Sequence, residues 1–230
     1  MSQTIQLLAD DGHSLSAYEA GDPQNNGAAL VVLQEIFGVN RHIRSVADDY
    51  AREGFLTVAP ALFDRVRQGV ELGYAPEDIE IARGVAAQLQ EETILKDIVA
   101  AIAHARHRVK SGKVGVIGYC LGGSYAWLSA TRLSATRLGV DAAVGYYGSK
   151  VARFIGEEPR CPVILHFGEK DKGIPLESVE TIRQTRPGLP VYLYDAGHGF
   201  NCTDRPSYSE SAATPARARS LEFLRKTLLE

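Results

Sequence analysis

The segment Gly118-Tyr119-Cys120-Leu121-Gly122-Gly123 sets a thiol between glycines at the spacing G-x-nucleophile-x-G. That is the form of a tight strand-to-helix elbow, in which small neighbours let the strand and helix approach while the nucleophile sits in a strained backbone conformation. The apolar, β-branched run at 113–117 before it and the compact helical stretch at 124–130 after it put Cys120 at such a junction. A helix N-terminus behind the thiol would favour both a thiolate and the oxyanion of a tetrahedral intermediate, with Leu121 N–H as the nearest donor. A glycine-flanked cysteine can also simply pack a βα turn, and glycine-rich βα turns also bind nucleotides.

The order of two later segments favours the nucleophile. The apolar run at 162–167 reads as a buried strand, and the loop after it carries Asp171. The run at 191–194 reads as another strand, and its loop holds His198 between Gly197 and Gly199. Nucleophile, acid and histidine, each just past a strand, follow the chain order of an α/β-hydrolase triad. In such a set His198 moves protons while Asp171 fixes its tautomer and stabilises its cation. Asp195 and Glu169 compete for the orienting role, but Asp195 is only three residues from His198 and suits a turn.

These motifs resemble the dienelactone hydrolase (carboxymethylenebutenolidase) family of cysteine-dependent α/β-hydrolases, from about residue 30 to the last helix. The resemblance is carried by Gln34-Glu35-Ile36-Phe37-Gly38, the elbow at 118–123, the segment at 143–148, the loop at 168–171 and Gly197-His198-Gly199-Phe200. It implies that Glu35 helps generate the Cys120 thiolate when substrate binds and that Ile36 N–H joins Leu121 N–H in the oxyanion hole. It also implies acyl transfer through a thioester, without metal or organic cofactor, on esters or lactones. Family members hold a substrate carboxylate with two arginines, the second of them four residues beyond the histidine, where this chain has Cys202. Arg205 lies three residues further on; Arg65, Arg67 and Arg83 are candidates from the earlier region. Phe37 and Tyr146 or Tyr147 are candidate pocket residues.

Cys202 suits a buried small side chain, with a pocket thiol or a redox partner of Cys120 as alternatives. Cys161 reads as structural. His13, His42, His104 and His107 show no metal-ligand spacing with cysteines or carboxylates, so no metal is expected.

The 230 residues, 45% hydrophobic and 23% charged, suit one globular domain over 1–230. A net charge of −3 gives no basic excess for nucleic acid. No apolar run approaches membrane-spanning length and no export signal is evident, so no membrane partner is expected. Three widely spaced cysteines argue against a disulfide framework and for a reducing cytoplasm. A monomer acting on a small ester or lactone is expected.

Strand and helix patterns alternate along the chain, which predicts an α/β-hydrolase fold with a mostly parallel sheet flanked by helices on both faces. Residues 2–20 read as a hairpin, 41–53 and 93–109 as helices, and 55–58 as a strand. Residues 62–78 lack a period and read as a cap-like excursion over the pocket. A helix over 211–229 closes the domain, with Pro215 tolerable only near its first turn. A thioesterase, a general carboxylesterase, and a non-catalytic thiol sensor or binding protein on the same fold are the alternatives to a dienelactone hydrolase-like enzyme.

Overall fold

The computed structural model describes residues 2–22, 27–133 and 139–230. Eight strands form one sheet: β1 (Ser2–Leu8), β2 (Ser14–Ala20), β3 (Ala28–Leu33), β4 (Phe55–Pro60), β5 (Val114–Tyr119), β6 (Ala142–Tyr146), β7 (Val163–Gly168) and β8 (Val191–Tyr194). Their order is β1-β2-β4-β3-β5-β6-β7-β8; β1 and β2 pair antiparallel, as do β2 and β4, and every other neighbour is parallel.

The helices are α1 (Arg41–Arg52), α2 (Pro76–Ala86), α3 (Glu91–Arg108), α4 (Leu121–Leu128), α5 (Leu176–Thr185) and α6 (Glu210–Leu228). Every residue of β3, β4, β5 and β7 is buried. Side chains alternate between the faces of a strand, so such unbroken burial requires cover on both. α1 and α6 are tied together where Arg217 and Arg225 both reach Glu53, while α3 packs on β3 and β4 and α4 on β5 and β6. β1, the antiparallel edge, alternates less deeply and leaves most of its length exposed.

Two expectations need correction. The 62–78 segment is not featureless: a short 3₁₀ turn covers Leu62–Arg65 and α2 starts at Pro76. Proline is favoured at a first helical position because its missing N–H would have no partner there, and Asp78 accepts the Ala75 N–H at 3.3 Å to close the start. The same segment supplies Phe63 and Val70 to a small second core with Val85, on which Ile36 and Leu121 pack. Pro215 lies beyond the first turn of α6, which begins at Glu210, so the Ser211 carbonyl lacks its helical donor.

Candidate active site

Cys120 adopts φ 54°, ψ −111°, between the end of β5 and the start of α4. A non-glycine residue rarely takes positive φ, and here the surroundings enforce it. Cys120 N–H donates to Tyr146 O on β6 at 3.0 Å, and Gly122 N–H donates to Gln34 O after β3 at 3.0 Å. The turn is thereby fastened to the strands on either side of β5. A Cβ on Gly118 would fall 1.9 Å from Gly122 O, and one on Gly122 would fall 2.3 Å from Leu33 O. Backbone stands on both sides, so the elbow glycines are required by contact.

His198 follows β8 and Asp171 follows β7. Their side chains meet, with His198 Nδ1 2.7 Å from Asp171 Oδ2. Asp171 Oδ1 accepts Gly173 N–H at 2.8 Å, so both carboxylate oxygens are used. Burial opposes the His198 cation, but hydrogen bonding and electrostatic attraction from Asp171 and Cys120 outweigh it and raise its pKa to about 10. Cys120 and Asp171 therefore flank the same imidazole. Asp195 is exposed and pairs with Lys170 at 2.6 Å, and Glu169 is exposed as well; neither orients His198.

Glu35 lies beyond β3 in a segment pinned at several points. Gln34 Oε1 accepts Leu62 N–H at 3.0 Å, and Leu72 N–H donates to Phe37 O at 2.9 Å. Gly38 turns at φ 80°, and a Cβ there would fall 1.7 Å from Val70 O. The Glu35 carboxyl is buried, with Arg205 Nη1 3.3 Å from Oε1 and no hydrogen-bond partner for Oε2. Burial raises its pKa, against the opposing charges of Arg205 and His198. Leu121 opens α4, so its N–H has no carbonyl to meet inside the helix, and Ile36 N–H makes no backbone hydrogen bond among the described residues.

The candidate pocket residues separate. Arg205 reaches the site: its guanidinium lies 5.6 Å from the Phe37 ring and 5.7 Å from the Tyr74 ring, besides holding Glu35. Arg65 is spent on Asp11 and Asp97, while Arg67 and Arg83 are exposed and, among the described residues, form no ion pair with the site. Tyr146 is core: its hydroxyl pairs with Ser220 Oγ at 2.7 Å and its ring stacks 4.4 Å from His166. The tyrosine beside the site is Tyr147, at φ 37°, with its ring 5.0 Å from His198 and its hydroxyl buried without a partner.

Two further residues escaped the sequence, and a third, His42, has neighbours that its spacing does not reveal. Tyr74 accepts Cys202 S–H at 3.1 Å and Asn40 Nδ2–H at 3.2 Å, yet nothing marks it within an aperiodic segment. His166 is buried between Tyr194 and Ser220 and is held neutral, pushed by burial to about 3. His42 lies with Glu35 and Cys202 in one buried cluster, a grouping that its spacing in the sequence does not show. Its place on α1, four residues before Val46 and eight before Tyr50, is the signal that could have shown it faces inward.

A parallel sheet with a strained cysteine elbow after its central strand and a histidine–aspartate pair after later strands defines an α/β-hydrolase. The structure of a Pyrococcus furiosus esterase shares this fold at TM-score 0.71 and 14% identity, covering 99% of this chain and 93% of that one. A Klebsiella pneumoniae subsp. pneumoniae protein assigned as a dienelactone hydrolase superposes at TM-score 0.82 with 27% identity, over 98% of this chain and 99% of the other. In sequence, the carboxymethylenebutenolidase of Pseudomonas putida is 35% identical over 97% of this chain and 96% of its own length. The model of the dienelactone hydrolase family matches residues 15–228. The chain belongs to the dienelactone hydrolase family and is a hydrolase acting on esters or lactones. Among the described residues no helix is long and apolar enough to cross a membrane.

Proposed function

We propose that the enzyme hydrolyses small carboxylate-bearing esters or lactones through a thioester on Cys120, with His198 and Asp171 completing a triad. The observation that carries this is the chain of contacts from Cys120 to His198 to Asp171, with the last link at 2.7 Å. Glu35 and Arg205 support a role for substrate in starting the reaction. A substrate carboxylate meeting Arg205 competes with Glu35 for the guanidinium, and the released, proton-avid Glu35 takes the thiol proton. Aqueous solvation no longer offsets either charge in so buried a site, so this exchange is a strong trigger.

The thiolate then attacks the carbonyl carbon, and Leu121 and Ile36 N–H groups receive the oxyanion. Collapse breaks the C–O bond, and the enolate or alkoxide leaves with a proton from the His198 imidazolium, which is thereby left neutral. Water attacks the thioester while His198 accepts its proton, and the second collapse expels the Cys120 thiolate with the acid product. A thiol suits activated enol esters better than amides, because it ionises readily and is itself a good leaving group. Arg205 supplies the cation that Cys202 cannot supply, which supports dienelactone-like substrates.

The test is turnover of dienelactone isomers, a neutral lactone and p-nitrophenyl acetate by the wild type and Cys120→Ala. Turnover by the wild type that vanishes in the variant supports the mechanism. Equal activity in both removes Cys120 as nucleophile.

A further inference from the structure

We propose that Glu35, His42 and Cys202 form a binding site for a zinc-class divalent cation, adjacent to the Cys120–His198 pair and separate from it. One ligand atom from each of the three side chains lies within 4.8 Å of the other two. The donors arrive from the loop after β3, the buried face of α1 and the loop between β8 and α6, so their meeting is a product of the tertiary fold. Their exposures are 1%, 4% and 0%.

The second observation is that the cluster is unfinished. Glu35 Oε2 and His42 Nε2 are both buried without a hydrogen-bond partner. A polar atom buried without a partner leaves its lost hydration uncompensated. A single cation between them satisfies both. Arg205 holds the opposite carboxylate oxygen, Oε1, leaving Oε2 for the metal.

The donor set selects the ion. One carboxylate oxygen, one imidazole nitrogen and one thiolate suit Zn²⁺ or Co²⁺, whereas Mg²⁺ and Ca²⁺ require oxygen shells. Zinc bonds of about 2.0–2.3 Å in a tetrahedron place donors roughly 3.3–3.8 Å apart, so side-chain rotations of about an ångström close the set around the ion. On binding, the Cys202 S–H bond breaks and its proton leaves to solvent. The Tyr74 hydroxyl, which now accepts from Cys202, then turns its own hydrogen toward the thiolate, as an outer-shell partner does.

A cation there ties Glu35 down and keeps it from the Cys120 thiol. This inhibitory consequence rests on the hydrolase mechanism proposed above; the binding does not.

The experiment uses Cys120→Ala, which removes the other thiol–imidazole pair, titrated with Co²⁺. The expected result is a thiolate-to-cobalt charge-transfer band with intense tetrahedral d–d absorption. Adding Cys202→Ser abolishes the charge-transfer band, and adding His42→Gln weakens Co²⁺ affinity at least about tenfold, the scale on which altered metal shells lose affinity. Absence of the bands in Cys120→Ala, or their persistence after Cys202→Ser, overturns the site. Should Cys202→Ser fail to fold by circular dichroism, the His42→Gln arm decides: unchanged affinity overturns it. In the otherwise wild-type enzyme, His42→Gln should raise the Zn²⁺ concentration for half-inhibition by at least about tenfold. An unchanged half-inhibition with the cobalt spectrum intact overturns the inhibitory consequence alone, and an enzyme without turnover leaves the spectrum untouched.

Discussion

Asp171 Oδ2 lies 2.7 Å from His198 Nδ1 while its other oxygen is held by Gly173 N–H, so the aspartate has one orientation and presents one acceptor to the imidazole. Asp171→Asn keeps the shape but not the polarity. With the amide oxygen retained by Gly173 N–H, the NH₂ faces Nδ1 and forces the ring proton onto Nε2, where a base must be free. We expect kcat to fall at least about a hundredfold, the usual contribution of positioned general acid–base catalysis, with the far-ultraviolet circular dichroism unchanged. Wild-type turnover in this variant removes Asp171 from the triad.

Arg205 is the only cation among the described residues that forms an ion pair with Glu35. Arg205→Gln should raise KM for carboxylate-bearing substrates by roughly ten- to a hundredfold, matching about 1.5–3 kcal/mol for a hydrogen bond to a charged group. KM for p-nitrophenyl acetate should change much less. Equal effects on both substrate types would place Arg205 in a structural role only.

The elbow, the Asp171 loop and the His198 loop were legible because each is local: a strand pattern, a turn and a polar side chain within about ten residues. Arg205 was legible only as one arginine candidate among several, since its position depends on the path of the chain after His198, which no periodicity records. Tyr146 and Tyr147 show the same limit at one-residue scale. Strand alternation sends neighbours to opposite sides, and the end of β6 decides which one meets His198 and which one meets Ser220. α2 was missed because its buried face is only Ala82 and Val85, too sparse to show a period.

Glycine requirements divide sharply between elbow and surface. A Cβ on Gly123 would fall 2.3 Å from Tyr146 O, whereas one on Gly156 would meet nothing within 4 Å. Gly123→Ala should therefore lower stability by about 1–3 kcal/mol or more, as overpacking against fixed backbone does. Gly156→Ala should be neutral or stabilising by up to about 1 kcal/mol through a less disordered unfolded chain. Urea unfolding midpoints check both, and a harmless Gly123→Ala would mean that α4 can move away from β6.

Buried histidines set the pH range of stability. Burial pushes His42 to about 4, with Arg205 adding to the effect against Asp204, and pushes His166 to about 3. Both bind protons more readily when unfolded, near 6.5, so stability should fall as pH drops below about 6.5 and go on falling through about 4. His198 has the opposite sign. Its folded pKa of about 10 means that the native state holds the extra proton, so its contribution is full below about 6.5 and is lost as pH rises through about 10. Unfolding midpoints in urea from pH 4 to pH 10 should thus pass through a maximum near neutrality. His42→Gln should flatten the acid limb and His198→Gln the alkaline limb. An alkaline limb unchanged by His198→Gln would show that Asp171 and Cys120 do not hold the imidazolium.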